Sequence, residues 1–178
     1  DLGKVRRLDS CFSFLGEEDF EENIRLDSRL EPAGCLGDLG WYCIRMTLSC
    51  FGNAVPEKVQ GFMLEEKDGV PVELRANLSF SDDRSASFHC SFTSTLEETC
   101  RISGTKGALS LDDFVQPIEG PETSFLLTQL GSKNEGCNYS TTATRREVKV
   151  PGQATNHEGS QETLLFKNFG ELVLGGTP

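Results

Sequence analysis

The sequence predicts an α+β fold, an open and mostly antiparallel β-sheet with helices on one face. Its patterned segments follow the order strand, helix, several strands, helix, and most strands succeed one another without a helix between them. The chain has 178 residues, of which 37% are hydrophobic and 25% charged, which is ordinary for a globular protein with one sizeable core. We therefore expect residues 1–178 to form a single α+β domain.

The N-terminal part of the chain predicts a strand followed by a polar connection. Residues 4–14 show partial alternation of apolar and polar side chains, which indicates a strand. The acidic residues 16–23 are predicted to form a solvated loop. Residues 23–34 continue as a polar loop that leads to the first helix. Since the chain starts at Asp1 in what is already a strand, and stops soon after an apolar helix, we interpret both ends as lying inside a longer protein.

A helix is predicted over residues 37–50, with glycines at 34, 37 and 40 around its start and Gly52 at its end. Apolar residues form two stripes along it, so we expect the helix to be buried on most sides. Asp38 and Tyr42 are four residues apart and are expected to share one face. An acid and a phenol on a firmly packed helix are the elements of a possible site.

The rest of the chain predicts further strands and one more helix. Lys67-Asp68-Gly69 is a hairpin signal, residues 131–144 are predicted to be a loop, and residues 161–174 return to helical spacing. His89 falls on the face opposite Phe88 and Cys90 and is predicted to be a surface residue rather than a ligand. The predicted strands are 59–64, 70–80, 85–92, 99–103, 108–111, 124–129 and 145–150.

Composition narrows the possible partners and the compartment. The net charge of −11 argues against nucleic-acid and anionic-membrane surfaces, and no run is long enough to span a membrane. Seven cysteines, several of them in apolar runs, favour a reducing, cytoplasmic compartment. The chain has no C-x-x-C pair and its histidines, His89 and His157, are far apart, so we expect no metal site.

Four segments, in order, resemble the C-terminal, substrate-binding domain of the glucose–fructose oxidoreductase/inositol dehydrogenase family of NAD(P)-dependent enzymes. Residues 34–43 are similar to its helix start, G-x-L-x-D-x-G-x-(H/Y), and tyrosine at the last position resembles the dihydrodiol dehydrogenase branch. Residues 102–111 resemble its Ile-x-Gly-Thr-x-Gly turn. Residues 23–27 and 161–169 resemble its preceding loop and its late helix.

The resemblance implies an oxidoreductase that transfers hydride between NAD or NADP and a sugar, polyol or diol carbon. The cofactor would be bound mainly by an N-terminal Rossmann domain that these residues lack, and the open sheet face would pack against another subunit in a homo-oligomer. The glycine spacing at 34, 37 and 40 is not the G-x-G-x-x-G phosphate fingerprint, so we expect no tight dinucleotide binding by this chain alone.

The same resemblance implies roles for four residues. Tyr42 would be the general acid/base, helped by a cation because the ordinary pKa of a phenol is about 10. Asp38 would accept a hydrogen bond from the substrate or orient a donor, and Asn23 and Arg25 would contact substrate or nicotinamide. Each has a structural alternative, namely a core aromatic for Tyr42, a first-turn carboxylate for Asp38 and a solvated loop residue for Arg25.

Two other functions remain open at the level of sequence. One is a non-catalytic interaction module that uses the open sheet face for dimerisation, and the other is a solitary sugar-binding domain. An exposed apolar sheet face would suit either an oligomeric enzyme or the interaction module.

Overall fold

The computed structural model describes residues 1–17, 20, 22–118, 122–151 and 161–175. His157 and residues 18, 19 and 21 of the predicted acidic loop therefore lie outside the described residues. One sheet of eight strands dominates the fold, in the order β2-β3-β4-β1-β5-β6-β7-β8. The strands are β1 Val5–Leu15, β2 Lys58–Lys67, β3 Val70–Ser79, β4 Ser85–Ser91, β5 Thr93–Gly104, β6 Ala108–Leu111, β7 Glu122–Glu135 and β8 Asn138–Pro151.

The predicted fold class is confirmed, because every neighbouring pair of strands except one is antiparallel. The exception is β1, which runs parallel to β4 and lets the first strand enter the middle of the sheet between β4 and β5. The helix α1, Trp41–Cys50, lies in the crossover that follows β1 and packs against β1 and β4. A helix that packs on central strands, which have neighbouring strands on both sides, can bury its apolar side against a larger area of the sheet.

Alternation along the central strands separates an apolar face from a polar one. On β4, Ala86, Phe88 and Cys90 are buried on the face that meets α1, while Ser87 and His89 lie on the opposite face and are only partly buried. The same period of two runs through β3 and β1. Because side chains from four adjacent strands contribute to one face, the core lies between the sheet and α1.

The hairpin between β2 and β3 forms where the sequence predicts it. Asp68 and Gly69 have φ values of 51° and 80°, the pair of positive angles that a two-residue type I′ turn requires. β2 is an edge strand and all ten of its residues are exposed, including Phe62 and Leu64.

The first helix begins earlier than predicted and is less buried. A helical turn starts at Gly34, a π-helical turn spans Leu36–Gly40, and regular α-helix follows from Trp41. Gly52, with φ +67°, ends it as predicted. Cys43 is fully buried, but Trp41 is 58% exposed and Tyr42 42% exposed, so the expectation of burial on most sides is wrong. An apolar side chain on a helix shows only that it can be buried, and a large part of each of these two side chains is in contact with solvent.

The predicted loop at 131–144 is wrong. These residues form the outer halves of β7 and β8, which pair without interruption from Glu122↔Pro151 to Glu135↔Asn138 around a turn at Gly136 and Cys137. Side chains on the outer part of this hairpin are exposed on both faces. No apolar alternation is needed where neither face is buried, so the sequence carries no strand pattern there.

The second helix, α2, spans Gln161–Val173 and confirms the prediction for residues 161–174. Its apolar side chains are exposed, among them Phe166 at 73% and Phe169 at 63%. Among the described residues, neither helix is long and apolar enough to cross a membrane.

Candidate functional site

The π-helical turn that presents Asp38 is fixed by two close approaches of the backbone. Gly34 has φ +49°, and a Cβ built on it would lie 2.2 Å from the carbonyl oxygen of Pro71 at the start of β3. A Cβ on Gly40 would lie 2.8 Å from the side chain of Leu36 and 3.4 Å from Phe88 of the core. Only glycine allows this packing without displacement. π-Helical turns frequently mark functional positions, because they turn one residue out of the regular helical pattern.

Asp38, Arg25 and Asn23 come together beside this turn. Arg25 Nε lies 2.7 Å from Asp38 Oδ2, with the two side chains 40% and 23% exposed. This is an ion pair rather than an aligned hydrogen bond, because the buried Nε has no hydrogen-bond partner of suitable geometry. Asn23 Oδ1 accepts hydrogen bonds from the backbone N–H of Arg25 at 3.1 Å and from its Nη1 at 3.4 Å. Asn23 caps the 3₁₀ turn Ile24–Leu26 in this way and orients Arg25.

Tyr42 lies on the exposed side of α1, near the site but not bonded to it. Its ring packs edge-on against Phe12 of β1, with centroids 5.5 Å apart. Within the described part of the chain its hydroxyl has no hydrogen bond to Asp38, Arg25 or Asn23. Of the four predicted residues, Asp38, Arg25 and Asn23 are therefore joined by an ion pair and hydrogen bonds, while the Tyr42 phenol is separate from them and accessible.

Sequence reasoning missed the aromatic and acidic side chains beside Tyr42. Phe114 packs edge-on against Phe12 at 6.5 Å and extends the aromatic surface. Glu98 of β5, only 7% exposed, accepts the backbone N–H of Gln116 at 2.7 Å, and its carbonyl oxygen accepts the N–H of Phe114 at 3.1 Å. Glu98 thus fixes the segment that carries Phe114. The sequence does contain a signal for this residue: the glutamate falls at an inward-facing position of a strand whose buried and exposed residues alternate with a period of two.

The clearest cavities of the described chain do not enclose Asp38 or Tyr42. The one nearest in sequence, about 460 Å³, lies beyond Leu26 and is lined by Phe20, Val72 and Phe92 with an acidic rim. The second, about 470 Å³, lies between the turn after β6 and the start of β7. Tyr42 is 42% exposed and the Asp38 side chain 23%, so a substrate bound there would need a further wall.

Buried thiols lie beneath the site. Cys35, at the start of the helical segment, and Cys90 of β4 are both fully buried, with their sulfur atoms 3.8 Å apart. Burial raises the pKa of the nearby Cys43 to about 12, so this thiol is neutral at physiological pH. All seven cysteines are free thiols. In the described ranges no group of three or more His, Cys, Asp or Glu side chains is placed to hold a metal ion.

The arrangement offers a fixed hydrogen-bond acceptor and an exposed proton donor. Asp38 is oriented by a cation, and Tyr42 presents an unbonded hydroxyl, which together suit the recognition of a hydroxyl or carbonyl group. A dinucleotide site would need a βαβ unit with a glycine-rich turn. Among the described elements no helix directly joins two strands that are parallel neighbours.

Comparison with known proteins shows which proteins this chain resembles. Trans-1,2-dihydrobenzene-1,2-diol dehydrogenase of Homo sapiens is 34% identical over 87 residues, which cover 49% of this chain and 26% of the human protein. An aldose-aldose oxidoreductase from Caulobacter crescentus, solved with glycerol, superposes over 99% of this chain and 48% of its own with a TM-score of 0.70 at 18% identity. A 3-ketoreductase from Actinomadura kijaniata, solved with NADP and TDP-benzene, covers 98% and 47% with a TM-score of 0.69 at 16% identity.

These structural likenesses show the fold, and the chain spans about a quarter of the human relative and about half of each structure. The family model described as "GFO/IDH/MocA C-terminal domain" matches residues 1–110, from β1 to β6, and includes Asn23, Arg25, Asp38 and Tyr42. This confirms the resemblance drawn from the four segments. The chain belongs to the GFO/IDH/MocA C-terminal domain family.

Proposed function

We propose that this chain is the substrate-binding and proton-transfer half of an NAD(P)-dependent oxidoreductase that interconverts a hydroxyl and a carbonyl group on a sugar, polyol or diol. The observation that carries the proposal is the Arg25–Asp38 ion pair beside the exposed Tyr42, at the helix start of a chain from this family. The relatives and structural neighbours are named as dehydrogenases, oxidoreductases and ketoreductases, which supports the same reaction class.

Each of the four residues has a distinct task in this proposal. Tyr42 donates a proton to the carbonyl oxygen during reduction and removes it during oxidation. Asp38 accepts a hydrogen bond from a neighbouring substrate hydroxyl, and its ion pair with Arg25 keeps it oriented. Asn23 holds Arg25 in place through the cap of its turn. The rings of Tyr42 and of the partly exposed Phe114, which both pack on the buried Phe12, present an aromatic surface to the part of the substrate that carries no hydroxyl groups.

The cofactor, NAD or NADP, would supply hydride exchange at the substrate carbon. We propose that another part of the intact protein holds it, because the described strands and helices include no dinucleotide-binding unit. That part would also supply the missing wall over Asp38 and Tyr42 and the cation that a phenol needs to act as a base near neutral pH. This chain alone would then be inactive.

The proposal is tested by Tyr42→Phe in the intact protein. We expect kcat to fall by roughly 10² or more, the usual contribution of a positioned acid/base, with little change in nucleotide affinity. Tyr139→Phe is the matched control, since Tyr139 is the chain's other tyrosine and is 71% exposed at the outer end of the β7–β8 hairpin. Turnover of Tyr42→Phe equal to that of the control would remove Tyr42 from the mechanism.

Binding by the isolated chain tests the assignment of the cofactor. Titration with NADH or NADPH, followed by the fluorescence of Trp41, the single tryptophan, should show no binding. A micromolar dissociation constant would contradict the proposal that the nucleotide site lies elsewhere.

We further propose that the intact protein is a cytoplasmic homo-oligomer whose copies meet through the sheet face opposite α1. The support is that this large face is uncovered in the described chain, and that it pairs opposite charges, as in Arg7–Asp9 at 2.7 Å. The face is polar rather than apolar, so association is expected to weaken at high salt. Light scattering after size-exclusion chromatography at low and high salt would measure this, and a monomer at low salt would contradict it.

A further inference from the structure

A nearly buried carboxylate lies among apolar side chains on the sheet face that meets α1. Glu98 of β5 is 7% exposed and is in phase with Cys100 and Ile102, which are buried in the core. In the register of β1 and β5 it is directly opposite Phe12, the ring on which Tyr42 packs. A buried carboxylate costs free energy unless hydrogen bonds satisfy it, and an apolar side chain would fill the same place without that cost. The position therefore indicates a task that an apolar residue cannot perform.

That task is to hold the segment 112–118, which follows β6. The carbonyl oxygen of Glu98 accepts the N–H of Phe114 at 3.1 Å, and its Oε2 accepts the N–H of Gln116 at 2.7 Å. The segment runs parallel to β5 at this point, and a continued parallel ladder would direct the second N–H to residue 100. Because β6 already pairs with β5 there, the carboxylate supplies the acceptor instead. Two hydrogen bonds that fix the segment thus end on one residue.

The same segment carries an aromatic ring to the neighbourhood of Tyr42. Asp113 Oδ2 accepts the N–H of Ile118 at 2.9 Å, so the segment also folds back on itself. Phe114 packs edge-on against Phe12 with centroids 6.5 Å apart, and Tyr42 packs edge-on against the same ring at 5.5 Å. Phe12 is buried, whereas the other two rings are accessible. The hydrogen bonds to Glu98 therefore fix a second accessible ring beside the phenol.

A second ring beside the phenol distinguishes between the substrates that remain open for this site. A hydroxyl group placed against Phe114 loses water without gaining a hydrogen-bond partner, which costs free energy. A CH or CH₂ group placed there gains free energy through the burial of apolar area. Asp38, four residues before Tyr42, supplies an acceptor for a hydroxyl group near the reacting carbon. The surface therefore favours a diol whose remote carbons are bare over a sugar or polyol that is hydroxylated throughout.

We propose that Glu98 is a positioning residue and Phe114 a specificity-determining residue of the Tyr42 site. Glu98 acts only through the segment 112–118, which it holds so that Phe114 contacts the carbons remote from the reacting hydroxyl group. The inference rests on the proposed function for the place of the reaction, and it narrows the substrate to diols with an apolar remote end. The proton at the reacting oxygen is still handled by Tyr42.

The experiment compares two probes that share a six-membered ring, cyclohexane-1,2-diol and inositol, which carries four more hydroxyl groups. Calorimetric titration of the intact protein in the presence of NADH or NADPH gives both dissociation constants, and the reduced cofactor prevents oxidation of either probe. The unmodified protein should bind the diol roughly tenfold more tightly, as expected for an apolar contact in a binding site. Phe114→Ser should abolish this preference. Ile118→Ser is the matched control, because Ile118 lies in the same segment and is 68% exposed.

Two variants of Glu98 separate its positioning role from a general effect on stability. Glu98→Met removes the acceptor and should lower the preference as much as Phe114→Ser does. It should also speed hydrogen exchange at the Gln116 amide by roughly tenfold or more, the usual effect of losing a hydrogen bond to a charged group. Glu98→Gln keeps an oxygen that can accept from Gln116, and should retain both the preference and the protection.

Several results would overturn the proposal. They are an unmodified protein that binds the two probes equally or binds neither, an unchanged preference in Phe114→Ser, and unchanged exchange at Gln116 in Glu98→Met. The first two need no variant of the buried carboxylate to fold. The proposed function fails by a different measurement, since it depends on the turnover of Tyr42→Phe, which the relative affinity for the two probes does not determine.

Discussion

Arg25 Nε lies 2.7 Å from Asp38 Oδ2, and this pair joins the two short turns that precede α1. Arg25 belongs to the 3₁₀ turn Ile24–Leu26 and Asp38 to the π-helical turn Leu36–Gly40. Within the first turn Asn23 already orients Arg25, and the ion pair extends this order to Asp38 in the second turn. Their pairing fixes the carboxylate beside Tyr42, so the site depends on a contact between two loops as well as on a helix.

Arg25→Met should impair activity far more than stability. Both side chains are partly exposed, so the pair should contribute under about 1 kcal/mol to the free energy of unfolding. Losing the orientation of Asp38 should lower kcat/KM of the intact protein by roughly tenfold or more. Arg29→Met is the matched control, because Arg29 also pairs with an aspartate, Asp27, but is 85% exposed and away from Tyr42. Equal activity in the two variants would show that Arg25 does not support the site.

Gly34→Ala should destabilise the chain more than an ordinary glycine substitution. The added methyl group would meet the carbonyl oxygen of Pro71 at 2.2 Å, in a backbone conformation with φ +49°. Backbone strain and overlap together should cost roughly 2–4 kcal/mol in urea unfolding. Gly69→Ala, with φ +80° and open space, isolates the strain and should cost about 1 kcal/mol. Gly61→Ala, with open space and no positive φ, should change stability by under about 0.5 kcal/mol. A cost at position 34 no larger than at position 69 would contradict the predicted overlap.

Much of the fold could be predicted because one face of each central strand is buried. β3 and β4 alternate over most of their length and end within one residue of their predicted bounds, and β6 has the predicted bounds. The outer part of the β7–β8 hairpin is exposed on both faces, and there the pattern that predicts strands does not exist. The sequence therefore shows where side chains meet a core and not where hydrogen bonds alone extend a strand.

The site shows the same limit in its side-chain contacts. Asp38, Arg25 and Asn23 were selected individually, but the ion pair depends on the fold of two turns, and pairing across turns leaves no periodic signal. Tyr42 lies near the start of the helix, as its position in the sequence predicts. The exposure of its neighbour Trp41 could not be predicted, because an apolar side chain contributes the same hydrophobic pattern whether or not a partner covers it. Glu98 was missed because the predicted strand begins at residue 99, one residue after it, so its position in phase with the buried Cys100 and Ile102 falls outside the predicted element.

Arg84 should be a main contributor to the stability of the C-terminal end of α1. Its Nη1 donates to the carbonyl oxygen of Phe51 at 3.0 Å, and its guanidinium lies 4.6 Å from the centroid of the Phe51 ring and 5.7 Å from that of Phe80. The side chain is only 18% exposed. Arg84→Met should lower the free energy of unfolding by about 2 kcal/mol, from the lost cation–π contact, the lost hydrogen bond to the Phe51 carbonyl group and the lost ion pair with Asp82.

The matched control for Arg84 is Arg6→Met. Arg6 pairs with Asp83 at 3.8 Å, and the two side chains are 41% and 87% exposed. Its removal should change stability by under about 0.5 kcal/mol, because exposed pairs contribute little. Thermal or urea unfolding of both variants measures the difference. Equal decreases in the free energy of unfolding would show that the guanidinium over Phe51 contributes no more to stability than an exposed ion pair.

The buried thiols should make the chain sensitive to alkali. Burial raises the pKa of Cys43 and that of Cys100 to about 12 each in the folded state, against about 8.5 for a cysteine in an unfolded chain. Below pH 8 both states hold these protons and stability is unaffected. As the pH rises above about 8.5, the unfolded state releases protons that the folded state retains, so each thiol should reduce the free energy of unfolding by about 1.4 kcal/mol per pH unit. This loss continues until the folded thiols themselves ionise.

Urea unfolding at pH 7.5, 9 and 10 under reducing conditions measures this dependence. Cys43→Ala should lower the free energy of unfolding at pH 7.5 by about 1 kcal/mol through lost packing. Its free energy of unfolding should then fall less steeply with pH than that of the unmodified chain, because one buried thiol no longer contributes to the slope. Cys137→Ala, in an exposed turn, should retain the full slope because that thiol is in solvent in both states. If Cys43→Ala keeps the slope of the unmodified chain, the alkaline loss arises from other groups, and Cys43 is less firmly buried in solution than its packing against β1 indicates.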